Sequence, residues 1–328
     1  MKYRTLGKTG YKISEVSLGT WQVGGRWGEK FDEKNALNII NRAIDLGINF
    51  IDTADVYGDL LSERAIGKAL KSRTERVYVA TKCGRRLKPH VSEGYNDKNI
   101  RKFVDESRKN MGMDVLDLIQ LHCPPTAVYY RPELFETLES LVREGKIRHY
   151  GVSVEKVEEA LKAIEYPNLA SVQIIFNMFR QRPADIFFRR AREKKVGIIV
   201  RVPLASGLLA GKFGRDTKFK KDDHRFFNRE GKSFDKGETF SGVDYETGLK
   251  AVEGLKAVFP DSDRLAHYAL KWVLMFPEVS VVIPGASAVS QVESNVQASD
   301  LPRLKNAQMK KVRDIYEKHI RNPVHHLW

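Results

Sequence analysis

The 328-residue chain holds only two cysteines, Cys83 and Cys123, so it has no disulfide framework. Both read as reduced thiols, the pattern of a cytoplasmic protein. No apolar stretch reaches the roughly 18 residues that a spanning helix needs, which argues against insertion in a membrane. The opening MKYRTLGKTG lacks the apolar segment of a secretory leader. No GxGxxG follows the first apolar run, so the doubly wound dinucleotide fold lacks its signature. The formal charge of +14 arises from 56 bases mixed with 42 acids along the whole length. No zinc spacing, basic leucine zipper or aromatic RNA-binding box accompanies that charge, which argues against a nucleic-acid partner. A basic surface favours small anionic ligands more generally.

Against these absences stands a 42% hydrophobic content arranged in a repeating pattern. KYRTL and YKIS, joined by GKTG, read as a hairpin that plugs one end of the fold. VSLGT at 16–20 is the first buried strand, followed by helical spacing over 33–46 that stops at Gly47. INFID at 48–52 precedes a helix in SERAIGKAL, with Ser62 read as its cap. Strands then recur at VYVAT, at 115–121, 147–153, 171–175, 197–202 and 279–283, with helices at 97–110, 133–144, 155–164, 183–194 and from 288 or 289. Eight short strands alternating with helices predict an α/β fold: a (β/α)8 TIM barrel with an N-terminal β-hairpin, in which residues 1–328 form one domain. The spacing breaks after the seventh strand, at 211–245, a stretch rich in Gly and charge. Such a long loop reads as a flap over a ligand, with Phe226, Phe227, Phe234 and Phe240 folding down, or as a solvated excursion. The tail holds a helix to about residue 318 and then RNPVHHLW, whose Trp328 needs packing and whose His325 and His326 read as structural.

Three successive strands each deliver a titratable side chain at or just past the C-terminal end. They are Asp52, with Tyr57 in the turn beyond it, then Lys82, then His122. In a parallel barrel these ends share one face. A tyrosine ordinarily titrates at about 10. An ammonium at Lys82 is expected to lower that value, and Asp52 to keep Lys82 charged and oriented. His122 would donate to a carbonyl oxygen placed beside Tyr57, giving an acid with an oxyanion-stabilising partner. Such a site needs an electron source. Ser153 and Gln173, at the ends of strands five and six, are amide-binding types, and strand eight runs through IPGAS into a helix N-terminus suited to phosphate. A dinucleotide laid across the strand ends would fit.

The sequence resembles an aldo-keto reductase. The motifs are KYRTLGKTGYKISEVSLGTW, DTADVYG with SERAIGKAL, VYVATKCG, DVLDLIQLHCP, IRHYGVS, PLASGLLAGK and VIPGAS, with Asn295 further on, in the family's order over residues 1 to about 300. The resemblance implies an NADP-dependent oxidoreductase, NAD being possible, that reduces a small aldehyde or ketone to an alcohol without a metal. It makes Tyr57 the proton donor, Lys82 and Asp52 its tuning pair, and His122 the residue orienting the carbonyl. It assigns the nicotinamide carboxamide to Ser153 and Gln173, the pyrophosphate to Leu204, Ser206 and Leu208, and the adenosine end to Gln291 and Asn295. Gly19, Thr20, Trp21, Asp52, Arg201, Pro203, Gly207, Lys212, Gly285 and Ser287 complete the implied cofactor set. Trp21 and Trp27 join Tyr57 and His122 as substrate-pocket walls.

The chain departs from the family at several places. Position 154 is Val rather than Asn. Arg201 stands where an aromatic commonly stacks on the nicotinamide; a planar guanidinium can also stack, but its charge beside the ring is expected to disfavour the oxidised coenzyme relative to the reduced one. Gly285 and Gln291 stand where two bases clamp a 2′-phosphate, leaving Lys212 or Arg215 of the flap as substitutes. Two other readings stay open. One is a Schiff-base aldolase-type barrel that uses Lys82 as nucleophile, which borohydride trapping would reveal. The other is a nicotinamide-binding sensor, similar to the channel β-subunits that resemble this family, with little turnover.

Overall fold

A computed structural model of the chain describes residues 1–23, 29–259 and 261–328. The hairpin is β1 (Tyr3–Thr5) and β2 (Lys12–Ser14), paired antiparallel with Tyr3 opposite Ser14. Eight parallel strands follow, each hydrogen-bonded to the next in chain order: β3 (Leu18–Gly19), β4 (Phe50–Asp52), β5 (Tyr78–Cys83), β6 (Leu116–His122), β7 (Ile147–Ser153), β8 (Ser171–Ile175), β9 (Gly197–Arg201) and β10 (Val279–Val282). The ring closes where Val16 bridges Val282 and Gly19 bridges Gly285 in parallel. The Ser17 amide donates to the Val282 carbonyl at 2.9 Å and the Gly19 amide to that of Pro284 at 3.1 Å. A Cβ added at Gly19 would lie 2.8 Å from the Ile283 carbonyl oxygen, so a side chain there would prise the seam apart.

The hairpin plugs the N-terminal end of the ring, as its place in the sequence suggested. Leu6 and Ile13 pack with Phe50, Ala80, Leu118, Ile199 and Val281 inside the barrel, and Tyr11 stacks on Tyr78 with ring centroids 4.1 Å apart. A larger apolar layer lies between the strands and the surrounding helices, to which the β-branched residues on the outer strand faces contribute.

The helices are α1 (Glu33–Asp45), α2 (Leu61–Leu70), α3 (Asp97–Met111), α4 (Pro132–Arg143), α5 (Val157–Ala163), α6 (Phe187–Glu193), α7 (His224–Phe227), α8 (Tyr245–Lys256), α9 (Leu265–Leu274), α10 (Val289–Asp300), α11 (Asn306–His319) and α12 (Arg321–Val324). Asp32 and Asn96 cap α1 and α3 by accepting from the amides of Asn35 and Asn99. One expectation fails. Ser62 is not a cap: α2 begins one residue earlier, behind a left-handed Leu60, and the Ser62 hydroxyl turns inward to Thr20 Oγ1 at 2.8 Å and Thr53 Oγ1 at 2.9 Å. The long excursion after β9 carries α7 and short 3-10 turns at Lys236–Glu238 and Phe240–Gly242, which fold it down onto the strand ends. It then leads into α8 and α9. Of the four phenylalanines expected to fold down, Phe240 is buried while Phe226 stays exposed.

Candidate active site

The strand register gathers the predicted residues. Asp52 pairs with Ala80 across β4 and β5, two residues before Lys82, while His122, Ser153 and Gln173 stand side by side on β6, β7 and β8. The Lys82 ammonium is fully buried and donates to Asp52 Oδ2 at 2.6 Å, the Thr53 carbonyl at 2.8 Å and the Tyr57 hydroxyl at 3.3 Å. The His122 ring lies edge-on to Tyr57, centroids 5.9 Å apart. A phenol, an ammonium, a carboxylate and an imidazole therefore meet at the C-terminal rim.

Burial works against the Lys82 charge, but Asp52 and Tyr57 outweigh it and hold the ammonium above the usual lysine range. Tyr57 goes the other way from expectation. Burial pushes its hydroxyl above the ordinary tyrosine value, and Lys82 offsets this only in part because Asp52 and Glu238 oppose it. His122 is driven well below its usual value, first by burial and then by Arg85, Lys82 and Arg201, so it is a neutral imidazole at neutral pH. Its Nδ1 is buried without a hydrogen-bond partner among the described residues.

Arg201 does not present a free guanidinium face. It donates to Glu155 Oε2 at 2.7 Å and to the Val154 carbonyl at 3.2 Å, and lies 3.5 Å from Glu238 Oε1. Arg85, just past β5, donates to both acids, at 3.0 Å to Glu155 and 2.7 Å to Glu238. Two arginines and two glutamates thus form a closed quartet over the strand ends, with Glu238 supplied by the flap. Burial and the neighbouring Glu238 push Glu155 up to about 7 against the pull of Arg201. Burial also disfavours the Glu238 charge, yet Arg85 and Arg201 hold that carboxyl below the usual range. Arg85, Glu155 and Glu238 escaped the sequence reading; their one signal is position, directly beyond β5 and β7 and within the flap. Gln120 was also missed: its amide lies 3.4 Å from Asp52 Oδ1 and its Oε1 is buried without a partner among the described residues.

The remaining predicted residues divide. Gln173 donates to Asp52 Oδ1 at 2.7 Å, and Ser153 is fully buried with its Oγ 3.4 Å from Cys123 Sγ. Gly19 and Thr20 lie at the end of β3, where the Thr20 hydroxyl donates to the Asp52 carbonyl at 3.0 Å. Pro203, Leu204, Ser206, Gly207 and Leu208 follow β9, with Ala205, Ser206 and Gly207 consecutively left-handed, a backbone that curls back on itself. The Ser206 hydroxyl is held by the flap, donating to the Glu238 carbonyl at 2.9 Å and accepting from the Phe240 amide at 3.2 Å. Past β10, Gln291 Oε1 accepts from the Ser287 amide at 2.7 Å, and Asn295 lies 3.4 Å from the Gly285 carbonyl. Ala288 gives α10 no capping side chain. Arg215 is engaged with Glu246 at 3.3 Å, whereas Lys212 is exposed. Trp21 meets the flap, edge-on to His224 at 5.2 Å between centroids; Trp27 lies outside the described residues. Cys83 and Cys123 are both buried and unpaired, and burial raises both thiols, Cys123 to about 12.

The sequence profile of the Aldo/keto reductase family matches residues 15–317. An uncharacterised oxidoreductase of Bacillus subtilis (strain 168), YqkF, is 31% identical over 97% of this chain and 99% of its own. The aldo-keto reductase YhdN of the same organism is 30% identical over 99% of this chain and 96% of its own. Among solved structures, the glycerol dehydrogenase AKR11B4 from Gluconobacter oxydans superposes with a TM-score of 0.80 at 29% identity, covering 98% of this chain and 97% of that one.

Proposed function

The chain belongs to the aldo/keto reductase family, and from that premise we propose that it reduces a small aldehyde or ketone to an alcohol with a nicotinamide coenzyme. One observation carries the proposal: the Tyr57 hydroxyl stands 3.3 Å from the Lys82 ammonium, which Asp52 grips at 2.6 Å. The residues fit a dinucleotide, because an uncapped helix N-terminus and the left-handed turn 205–207 lie past neighbouring strand ends, β10 and β9, on the rim that carries Tyr57. Ser153 and Gln173 would hold the nicotinamide end, and residues 204–208, 287, 291 and 295 the rest. A bound reduced nicotinamide supplies the hydride.

The chain's own residues do the remainder. His122, neutral, donates to the carbonyl oxygen and fixes it beside Tyr57. As negative charge builds on that oxygen, the Tyr57 hydroxyl transfers its proton there. Lys82 stabilises the phenolate left behind, and Asp52 keeps Lys82 charged. The Schiff-base alternative is disfavoured because an amine held as ammonium by a carboxylate at 2.6 Å is a poor nucleophile. The charged quartet on the rim supports a polar, hydroxylated carbonyl compound as substrate, in keeping with the polyol named for the Gluconobacter relative. NADP is the proposed coenzyme, with Lys212 as the base that would meet its 2′-phosphate, and NAD is the alternative because positions 285 and 291 carry Gly and Gln.

Tyr57→Phe tests the assignment. Carbonyl reduction should fall by about a hundred- to ten-thousand-fold while coenzyme still binds. Turnover within tenfold of the parent would refute it, and a parent that binds coenzyme yet turns over no carbonyl in a panel of aldehydes, ketones and sugars would favour the sensor. Michaelis constants for NADPH and NADH decide the coenzyme; equal values remove the phosphate argument.

A further inference from the structure

The flap segment 235–242 is gripped from outside the barrel by one side chain far from it in sequence. Trp328 is 4% exposed, and its indole nitrogen donates to Asp235 Oδ1 at 3.1 Å. The Arg180 guanidinium covers the ring at 4.4 Å, and Arg182 donates to the Trp328 backbone carbonyl oxygen. Two glycines make room for the indole: a Cβ added at Gly242 would lie 2.0 Å from its edge, and one at Gly237 would lie 2.9 Å away. Between those glycines sits Glu238, which reaches over the rim to Arg85 and Arg201, and whose carbonyl takes the Ser206 hydroxyl. The residue that fills the glycine notch therefore fixes the part of the flap that meets both the quartet and the turn after β9.

We infer that Trp328 is a positioning residue for coenzyme binding, a clasp that holds the flap in its lowered place across the strand ends. The inference rests on the proposed dinucleotide site. Among the described residues Trp328 makes no hydrogen bond to Tyr57, Lys82 or His122 and reaches them only through the charge of Glu238, so the clasp acts mainly on binding and release. An aromatic ring in a two-glycine notch, backed by a cation, gives the flap one seated position. Without the ring the glycines leave that segment loose, and the fraction of molecules with the flap lowered falls. Apparent affinity for a ligand that needs the lowered flap falls by the same fraction, and release through the opened flap speeds up.

The experiment compares the full-length parent with Trp328→Ala, Trp328→Phe and Gly242→Ala. The parent is first titrated with NADPH and NADH by fluorescence. Absence of binding there would overturn the proposed function itself, before the clasp is in question. Given binding, Trp328→Ala should weaken the coenzyme Kd by about tenfold and raise its dissociation rate. Single-turnover reduction at saturating coenzyme should stay within about threefold of the parent. Trp328→Phe, which keeps the ring over the notch, should recover most of the affinity. Gly242→Ala, which obstructs the notch while keeping Trp328, should reproduce the loss and serves as the test if Trp328→Ala does not fold. An unchanged Kd and release rate in Trp328→Ala, or in Gly242→Ala where that variant stands in, would overturn the inference. So would a loss confined to the single-turnover rate.

Discussion

Replacing Lys82 with methionine separates what the buried ammonium does for stability from what it does for chemistry. Methionine keeps most of the side-chain length and its apolar stem but removes three donors. The Asp52 carboxylate, 2% exposed, then loses its 2.6 Å partner and keeps only Gln173 and the longer Gln120 contact. Breaking a buried ion pair on one side typically costs about 3–5 kcal/mol, because a desolvated charge is left uncompensated. The Tyr57 phenolate would form without its cation, which removes the neighbour that pulls that hydroxyl down most. Reduction should slow by about a hundred- to ten-thousand-fold. Adding Asp52→Asn to Lys82→Met removes the stranded charge, so urea unfolding at neutral pH should show most of the lost stability return. Activity should not return, since neither amide nor thioether stabilises a phenolate. The assay pairs unfolding midpoints with single-turnover reduction followed by nicotinamide absorbance. A double variant no more stable than Lys82→Met would refute the electrostatic account, and a Lys82→Met enzyme within tenfold of the parent would refute the catalytic one.

Two further predictions concern the frame around the site. Asp55 is buried, and burial, then Glu63, push it up to about 8 against the weaker pull of Arg86 and the Val56 amide. Its folded value lies above that of the unfolded chain, so its contribution is fully present below about pH 4 and is lost as pH rises towards 8. Asp55→Asn should therefore melt at an increasingly favourable temperature relative to the parent between those pH values; a constant difference would count against the reasoning. Gly67 lies in α2, where alanine would ordinarily add about 1 kcal/mol of helix stability. A Cβ there would sit 2.4 Å from the Met111 carbonyl oxygen at the end of α3, which is backbone and cannot yield cheaply. Gly67→Ala should instead lose about 1–3 kcal/mol in urea unfolding, and a gain would show that the two helices separate freely.

The barrel was legible because a strand buried on both faces writes itself as a short β-branched run, as SVQII and GIIVRV do. The triad of Asp52, Lys82 and His122 was legible for a related reason, since a parallel ring makes every strand end a neighbour of the others. What failed to show depends on distance in sequence. YETGLKAVEGLK and LAHYALKWVL carry helical spacing, yet the polar flap before them hid where regular structure resumes. Ser62 looks like a cap in its local string, but the left-handed turn at Asp59 and Leu60 starts the helix sooner and Thr20 draws the hydroxyl inside. Arg201 read as a free cation because its partners, Glu155 and Glu238, come from another strand end and from the flap. The sequence supplied the Lys82 partner of Tyr57 but not the burial that outweighs it.

That last discrepancy bears on the direction of the reaction. Lys82, Arg85 and Arg201 are three cations set against Asp52, Glu155 and Glu238, so the rim is close to neutral although the chain carries +14. The two sets act on different residues. After burial, the cations keep His122 uncharged, and after burial, with Lys82 opposing, Asp52 and Glu238 keep the proton on Tyr57. An uncharged imidazole that donates and a phenol that retains its proton are what a carbonyl oxygen needs as it turns into an alkoxide, which is a far stronger base than phenolate. Oxidising an alcohol requires the phenolate at the start, and the same burial and acids oppose it. Under the proposed mechanism the protonated Tyr57 and neutral His122 are the forms that reduction uses at neutral pH, and oxidation uses the phenolate that alkali supplies.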